Sequence, residues 1–136
     1  MVVDVANPIG SPWQSENIPD IDTLYMRVHK GWFNEDGTIN PGVFRDRGDG
    51  MSTDWSKYST PGDTCNRAKT PEENSVISMN VGEVRTIPNQ LVRHTPDEKL
   101  NNRAHTDVVG NKEPKSNPEA RVRFSRICQI VIHYTG

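Results

Sequence analysis

The chain has 136 residues, 32% of them hydrophobic and 25% charged, with a formal net charge of −2. That length fits one domain, and so small a net charge does not hold a chain expanded by self-repulsion. No apolar run approaches the ~20 residues that cross a bilayer, which excludes a helical membrane protein.

The hydrophobic fraction is below the usual ~45–50%, a figure that also counts Gly, so the expectation is a small core wrapped in much loop. The opening stretch MVVDVANPIGSPW has neither the basic nor the apolar region of a secretory signal. Cys65 and Cys128 match no zinc or redox spacing. These features together predict a cytoplasmic protein with two free thiols, a Cys65–Cys128 disulfide being the alternative. Charge is unevenly spread. Residues 1–63 hold ten acids and five bases, whereas residues 99–126 hold seven bases and three acids. The C-terminal third is therefore locally positive, as either a solvated helix face or a nucleic-acid site would be.

Residues 1–20 carry Pro8, Pro12 and Pro19 without periodicity. They predict an extended arm, anchored by Trp13 and Ile18, ahead of a single domain over residues 21–136. In DTLYMRVHKGWF, Leu24, Met26 and Val28 alternate with Tyr25, Arg27 and His29, which predicts a strand. Turns follow at Asp36-Gly37 and Pro41-Gly42, then a short apolar contact at Val43 and Phe44, then another turn in RDRGDG. MSTDW (51–55) reads as a short strand, and Thr64 as the cap of a short helical turn stopped by Pro71. NSVISMNVG (74–82) alternates and is rich in β-branched residues, so it is a strand. EVRTIP reads as one helical turn or a bend, and NQLVRHT (89–95) as a short strand.

The clearest helix begins near Pro118. Asn117 suits its N-cap and Pro118 its first position. Ala120, Phe124, Ile127 and Val131 recur at helical spacing, with Arg121, Arg123 and Arg126 off that stripe. β-Branching at Ile130, Val131 and Ile132 favours a strand after about Ile127. The sum is one α+β domain, strand-rich, with short strands, long loops and one C-terminal helix. A mostly β, barrel-like domain with the helix at one end is the alternative.

The candidate chemistry lies in LVRHTPDEKLNNRAHTDVVGNK (91–112), read as one polar loop. Imidazole titrates near working pH, so His94 and His105 suit a general acid and base acting on a phosphodiester or ester. Asn102 can orient a ligand, and Arg103 and Lys112 can hold an anion. The plainer reading is an ordered loop whose side chains satisfy its own backbone. A third reading gathers His94, His105 and Asp107 as a two-histidine, one-carboxylate metal set, but no ligand spacing supports it, and the expectation is no metal and no cofactor. Arg27 faces either solvent or a cleft where it holds an anion beside Tyr25 and His29. Ser52 lacks a nucleophile-elbow setting and is expected to hydrogen-bond a ligand or cap a turn. The Arg47-Gly48-Asp49 tripeptide carries no weight, and VVGNKEP is no phosphate-binding loop.

Three segments, LYMRVHKGWF, GMSTDW and RHTPDEKLNNRAHTDVVGNK, resemble a group of small uncharacterised bacterial proteins. That group has a Leu-Tyr-Arg-Arg-Val/Ile strand ending in Trp, a Leu-Ser pair, and a His-x-Pro then Asn-x-Ala-His loop closed by Gly. The matching positions are Leu24, Tyr25, Arg27, Val28 and Trp32, then Ser52, then His94, Pro96, Asn102, Ala104, His105 and Gly110. Met26 and Met51 depart from it. The resemblance covers residues 22–112. It implies a bacterial cytosolic origin and one shared polar site, without an activity.

Two functional expectations follow. In the first, a His-centred polar cleft binds a phosphate-containing ligand, a nucleotide or RNA, through Arg27, Ser52, Asn102, Arg103 and Lys112, with His94 and His105 moving protons. In the second, the chain is a non-catalytic accessory protein that docks on a larger partner, as in a defence or toxin-immunity system.

Overall fold

The structure is a computed structural model that describes residues 12–136. Residues 1–11, the first part of the expected arm, lie outside the described residues. In the rest of that segment Ile18 is buried in the core, while Ser15 and Glu16 bond to His94 of the body.

Among the described residues, six strands form one antiparallel sheet: β1 (Thr23–His29), β2 (Met51–Trp55), β3 (Asn74–Asn80), β4 (Leu91–His94), β5 (His105–Val109) and β6 (Gln129–Ile132). Their order is β4-β5-β2-β1-β3-β6. Three α-helices accompany them among the described residues: α1 (Pro61–Asn66), α2 (Val81–Arg85) and α3 (Ala120–Ile127). The domain is thus α+β. Among the described residues the sheet is open, with β4 and β6 as its two edges and not paired with each other, unlike the barrel-like alternative.

Alternation separates the two faces of the sheet. Leu24, Met26 and Val28 of β1, Met51 and Trp55 of β2, Ile77 and Met79 of β3 and Val108 of β5 belong to one core cluster. Phe44 and Phe124 join it and stack with ring centroids 5.2 Å apart. The opposite face carries Tyr25, Arg27 and His29 and is where polar groups collect.

Local chemistry differs from expectation in three places. Thr64 caps nothing. Thr60 caps α1 instead, its hydroxyl accepting from the Asp63 amide at 3.1 Å while Asp63 accepts from the Thr60 amide at 3.0 Å, with Pro61 at the first position. Asn117 is not the cap of α3 either. Its amide donates to the carbonyls of Pro88 at 2.8 Å and Asn111 at 2.9 Å, because it is 5% exposed and those carbonyls are its nearest acceptors. The helix opens after Glu119 with no side-chain cap. Finally, the stretch 91–112 is not one loop: β4 lies within the strand expected over 89–95, and after a turn comes the unexpected β5, whose Thr106 and Val108 are buried while His105 and Asp107 face the other way.

Candidate functional site

β1 and β2 pair over only two residues, Leu24 with Trp55 and Tyr25 with Asp54. Beyond that point a cavity of ≈ 500 Å³ opens, lined by consecutive residues of both strands, Tyr25 to Arg27 and Met51 to Asp54. That volume lies in the ~300–1,000 Å³ range of small-molecule sites. The segment from Trp32 to Arg47, α1 with its C-cap, and the turn before β5 complete the walls.

Asp54 holds the floor together. Its carboxylate is 4% exposed and accepts three bonds of 2.8 Å, from the Thr64 hydroxyl, the Arg67 guanidinium and the Asn102 amide. These donors come from α1, its C-cap and the turn before β5, so one carboxylate ties three segments to β2. Asn102 also accepts from the Ala104 amide at 3.1 Å, which fixes the chain as it enters β5.

The lining is strongly cationic. Arg27, Arg45, Arg47 and Arg67 face one carboxylate, Asp54, which pairs with Arg67 at 2.8 Å. The other three have no carboxylate partner among the described residues. Arg27 donates to the Thr64 carbonyl at 2.9 Å, and the Arg45 guanidinium lies 5.1 Å over the Trp32 ring. Trp32 and Tyr25 add aromatic surface to the same cavity.

His105 opens β5 and also lines the cavity. Its Nδ1 lies 3.0 Å from the Thr95 carbonyl and 2.9 Å from the Thr95 hydroxyl. A carbonyl only accepts, so Nδ1 carries the proton of the neutral ring and Nε2 presents a lone pair. That Nε2 is 3.2 Å from the Ser52 hydroxyl and 3.9 Å from the Asp107 carboxylate.

The expected pairing of His94 with His105 does not form. His94 stands opposite Thr106 in the β4–β5 ladder, so it shares the face of Thr106, and His105 points to the other. His94 is 2% exposed. Its Nδ1 accepts from the Glu16 amide at 3.0 Å and its Nε2 donates to the Arg103 carbonyl at 2.7 Å. The ring packs edge-on to Trp55 and stacks on Tyr58. Burial pushes its pKa down, with the bond to the Arg103 carbonyl and the Glu16 charge opposing. Beside it, bonds from Lys57 and Tyr58 hold the Glu16 carboxyl below its ordinary range.

Two further expected ligands lie elsewhere. Arg103 stacks its guanidinium 4.3 Å over Tyr58, on the His94 side. Lys112 is 3% exposed and donates to the carbonyls of Val108 at 2.9 Å and Gly110 at 3.0 Å, and to Asp46. Its three donors are spent on the fold, so none is left for an anion. Burial pushes its pKa down, and Asp46 opposes. The cavity thus draws together Arg27, Ser52, Asn102 and His105, and leaves out His94, Arg103 and Lys112. Its cations come from Arg27, Arg45, Arg47 and Arg67, not from the positive C-terminal third.

Sequence reasoning passed over Arg45, Arg47, Arg67 and Asp54. The signal for the first pair was present: two arginines at i and i+2 in RDRGDG, just ahead of a strand. For Asp54 and Arg67, 13 residues apart, no local pattern existed. Among the described residues, no group of three or more His, Cys, Asp or Glu is placed to hold a metal ion. The set of His94, His105 and Asp107 is taken apart by the opposite orientation of the two rings.

Set against known proteins, the chain matches no family model, and no curated protein or solved structure is similar to it.

Proposed function

We propose that the arginine-lined cavity binds a phosphate-containing ligand, a nucleotide or a short single-stranded RNA. What carries this reading is the trio Arg27, Arg45 and Arg47, which line one cavity and lack carboxylate partners among the described residues. Guanidinium forks match phosphate oxygens two at a time. The Trp32 and Tyr25 rings supply faces on which a base can stack, and Ser52 supplies a hydrogen bond that sets orientation, while Asn102 closes the wall through its bond to Asp54. His105, acting without His94, presents its Nε2 to the cavity beside Ser52. We place the protein in the bacterial cytoplasm, a reading supported by the sequence resemblance and by Cys65 and Cys128, both free thiols.

Calorimetry with nucleoside phosphates and anisotropy with a labelled oligoribonucleotide test this. Arg27→Ala and Arg47→Ala are each expected to weaken binding about tenfold or more, as loss of a charge-assisted bond worth ~1.5–3 kcal/mol requires. For RNA, each change also reduces the salt slope by about one. A double variant that binds every phosphate ligand as the parent does would overturn the reading.

A second reading has its own observation. β6 is an edge strand whose Ile130 and Val131 are each 44% exposed. An exposed apolar edge suits strand addition by a protein partner, which is the accessory role. Ile130→Lys with Val131→Lys is expected to abolish such docking without changing nucleotide affinity.

A further inference from the structure

We propose that Ser52 is a nucleophile towards phosphate esters, with His105 as its general base and the Thr95 carbonyl as the group that orients the base. The proposal rests on the phosphate reading of the cavity and adds a covalent step to it.

Three observations meet at this point. Ser52 stands on β2, exposed on the cavity wall, with its hydroxyl 3.2 Å from Nε2 of His105. The Thr95 carbonyl, 3.0 Å from Nδ1, holds the proton on the far side of the ring. The lone pair that can take a proton is therefore aimed at the hydroxyl. Nucleophile, base and orienting group in series is the arrangement that activates a serine. The Asp107 carboxylate, 3.9 Å from Nε2, favours the imidazolium once the proton has moved. The same cavity supplies the guanidiniums of Arg27 and Arg47, which can balance charge developing on the phosphate oxygens. A bond of 3.2 Å is long for a hydroxyl donor, as is common before a ligand draws the groups together.

The chemistry closes on itself with water as the only co-reactant. The Ser52 oxygen attacks phosphorus and forms an Oγ–P bond while its proton passes to Nε2. The bond from phosphorus to the leaving oxygen breaks with its electron pair, and the imidazolium returns the proton to that oxygen, which departs as an alcohol. Water then attacks phosphorus and gives a proton to Nε2. The Oγ–P bond breaks with its electron pair, and Ser52 regains the proton. One ester and one water become one alcohol and one phosphate, and His105 ends as it began.

The test uses the full chain and diisopropyl fluorophosphate, a reagent that phosphorylates activated serines with release of fluoride. Intact mass and peptide mapping read the adduct. The expected result is one adduct, on Ser52, absent from Ser52→Ala and formed about 100-fold or more slowly in His105→Gln. Inorganic phosphate should slow the reaction of the parent. Melting curves equal to that of the parent show that both variants fold. Absence of an adduct on Ser52, or equal rates in parent and His105→Gln, would overturn the nucleophile. Labelling that depends on His105 but is indifferent to phosphate would overturn phosphate esters as the substrate. Calorimetry of phosphate with Ser52→Ala decides the cavity separately: binding there, with no adduct on the parent, leaves the binding reading standing and removes the covalent step.

Discussion

At the scale of single residues, the two histidines of the 91–112 stretch show how one side-chain type serves opposite ends. His94 is needed neutral, because its Nδ1 must accept the Glu16 amide and its ring sits between Trp55 and Tyr58. Its folded-state pKa is lowered, chiefly by burial. As pH falls below about 6.5, the value of a free imidazole, the unfolded chain takes up the proton first. The stabilisation from His94 is therefore fully present above that pH and is lost as pH falls through the lower folded value. Melting temperature should drop between pH 7 and pH 5, and His94→Phe should flatten that slope. A variant as pH-sensitive as the parent would show that other groups govern it. The sequence made these two residues look alike, since both are His in polar company. Ladder register alone separates them, and register depends on the turn between β4 and β5 rather than on either neighbourhood.

At the scale of elements, period and propensity made most of the sheet legible. β1 alternates apolar and polar residues, β2 and β3 do so in part, and the switch from α3 to β6 follows the β-branched run after Ile127. β5 was hidden because one of its faces is polar for the sake of the cavity, so HTDVV reads as loop chemistry. The stripe on α3 is real at Phe124, which is fully buried against Phe44, while Val131 belongs to β6 and is exposed. Phe124→Ala should cost about 3–5 kcal/mol, a large part of the ~5–15 kcal/mol available to a domain. Denaturant melts check this. An unchanged midpoint would mean that the Phe44 side of the core collapses to fill the space.

At the scale of the whole molecule, the cavity exists because the β1–β2 ladder stops after two residue pairs and because Asp54 gathers α1 and the turn before β5. Neither fact has a local sequence signature, which is why arginines spread over 40 residues, from Arg27 to Arg67, did not declare themselves as one site. Any ligand held there touches segments from most of the chain and so stabilises the fold as a unit. A nucleotide at 100 times its Kd should add ~2.7 kcal/mol, about 10 °C of melting temperature at this size. No shift at saturating nucleotide would contradict the binding reading. The same wiring imposes an order during translation. Asp54 leaves the ribosome well ahead of Asn102, 48 residues later, which at ~5–20 residues per second is a delay of ~2–10 s. Thr64 and Arg67 emerge in the interval and can engage the carboxylate first. Ligand recognition is then among the last properties the nascent protein acquires, and a product released before residue 105 would display Arg27, Arg45 and Arg47 with neither Asn102 to close the wall nor His105 to face Ser52.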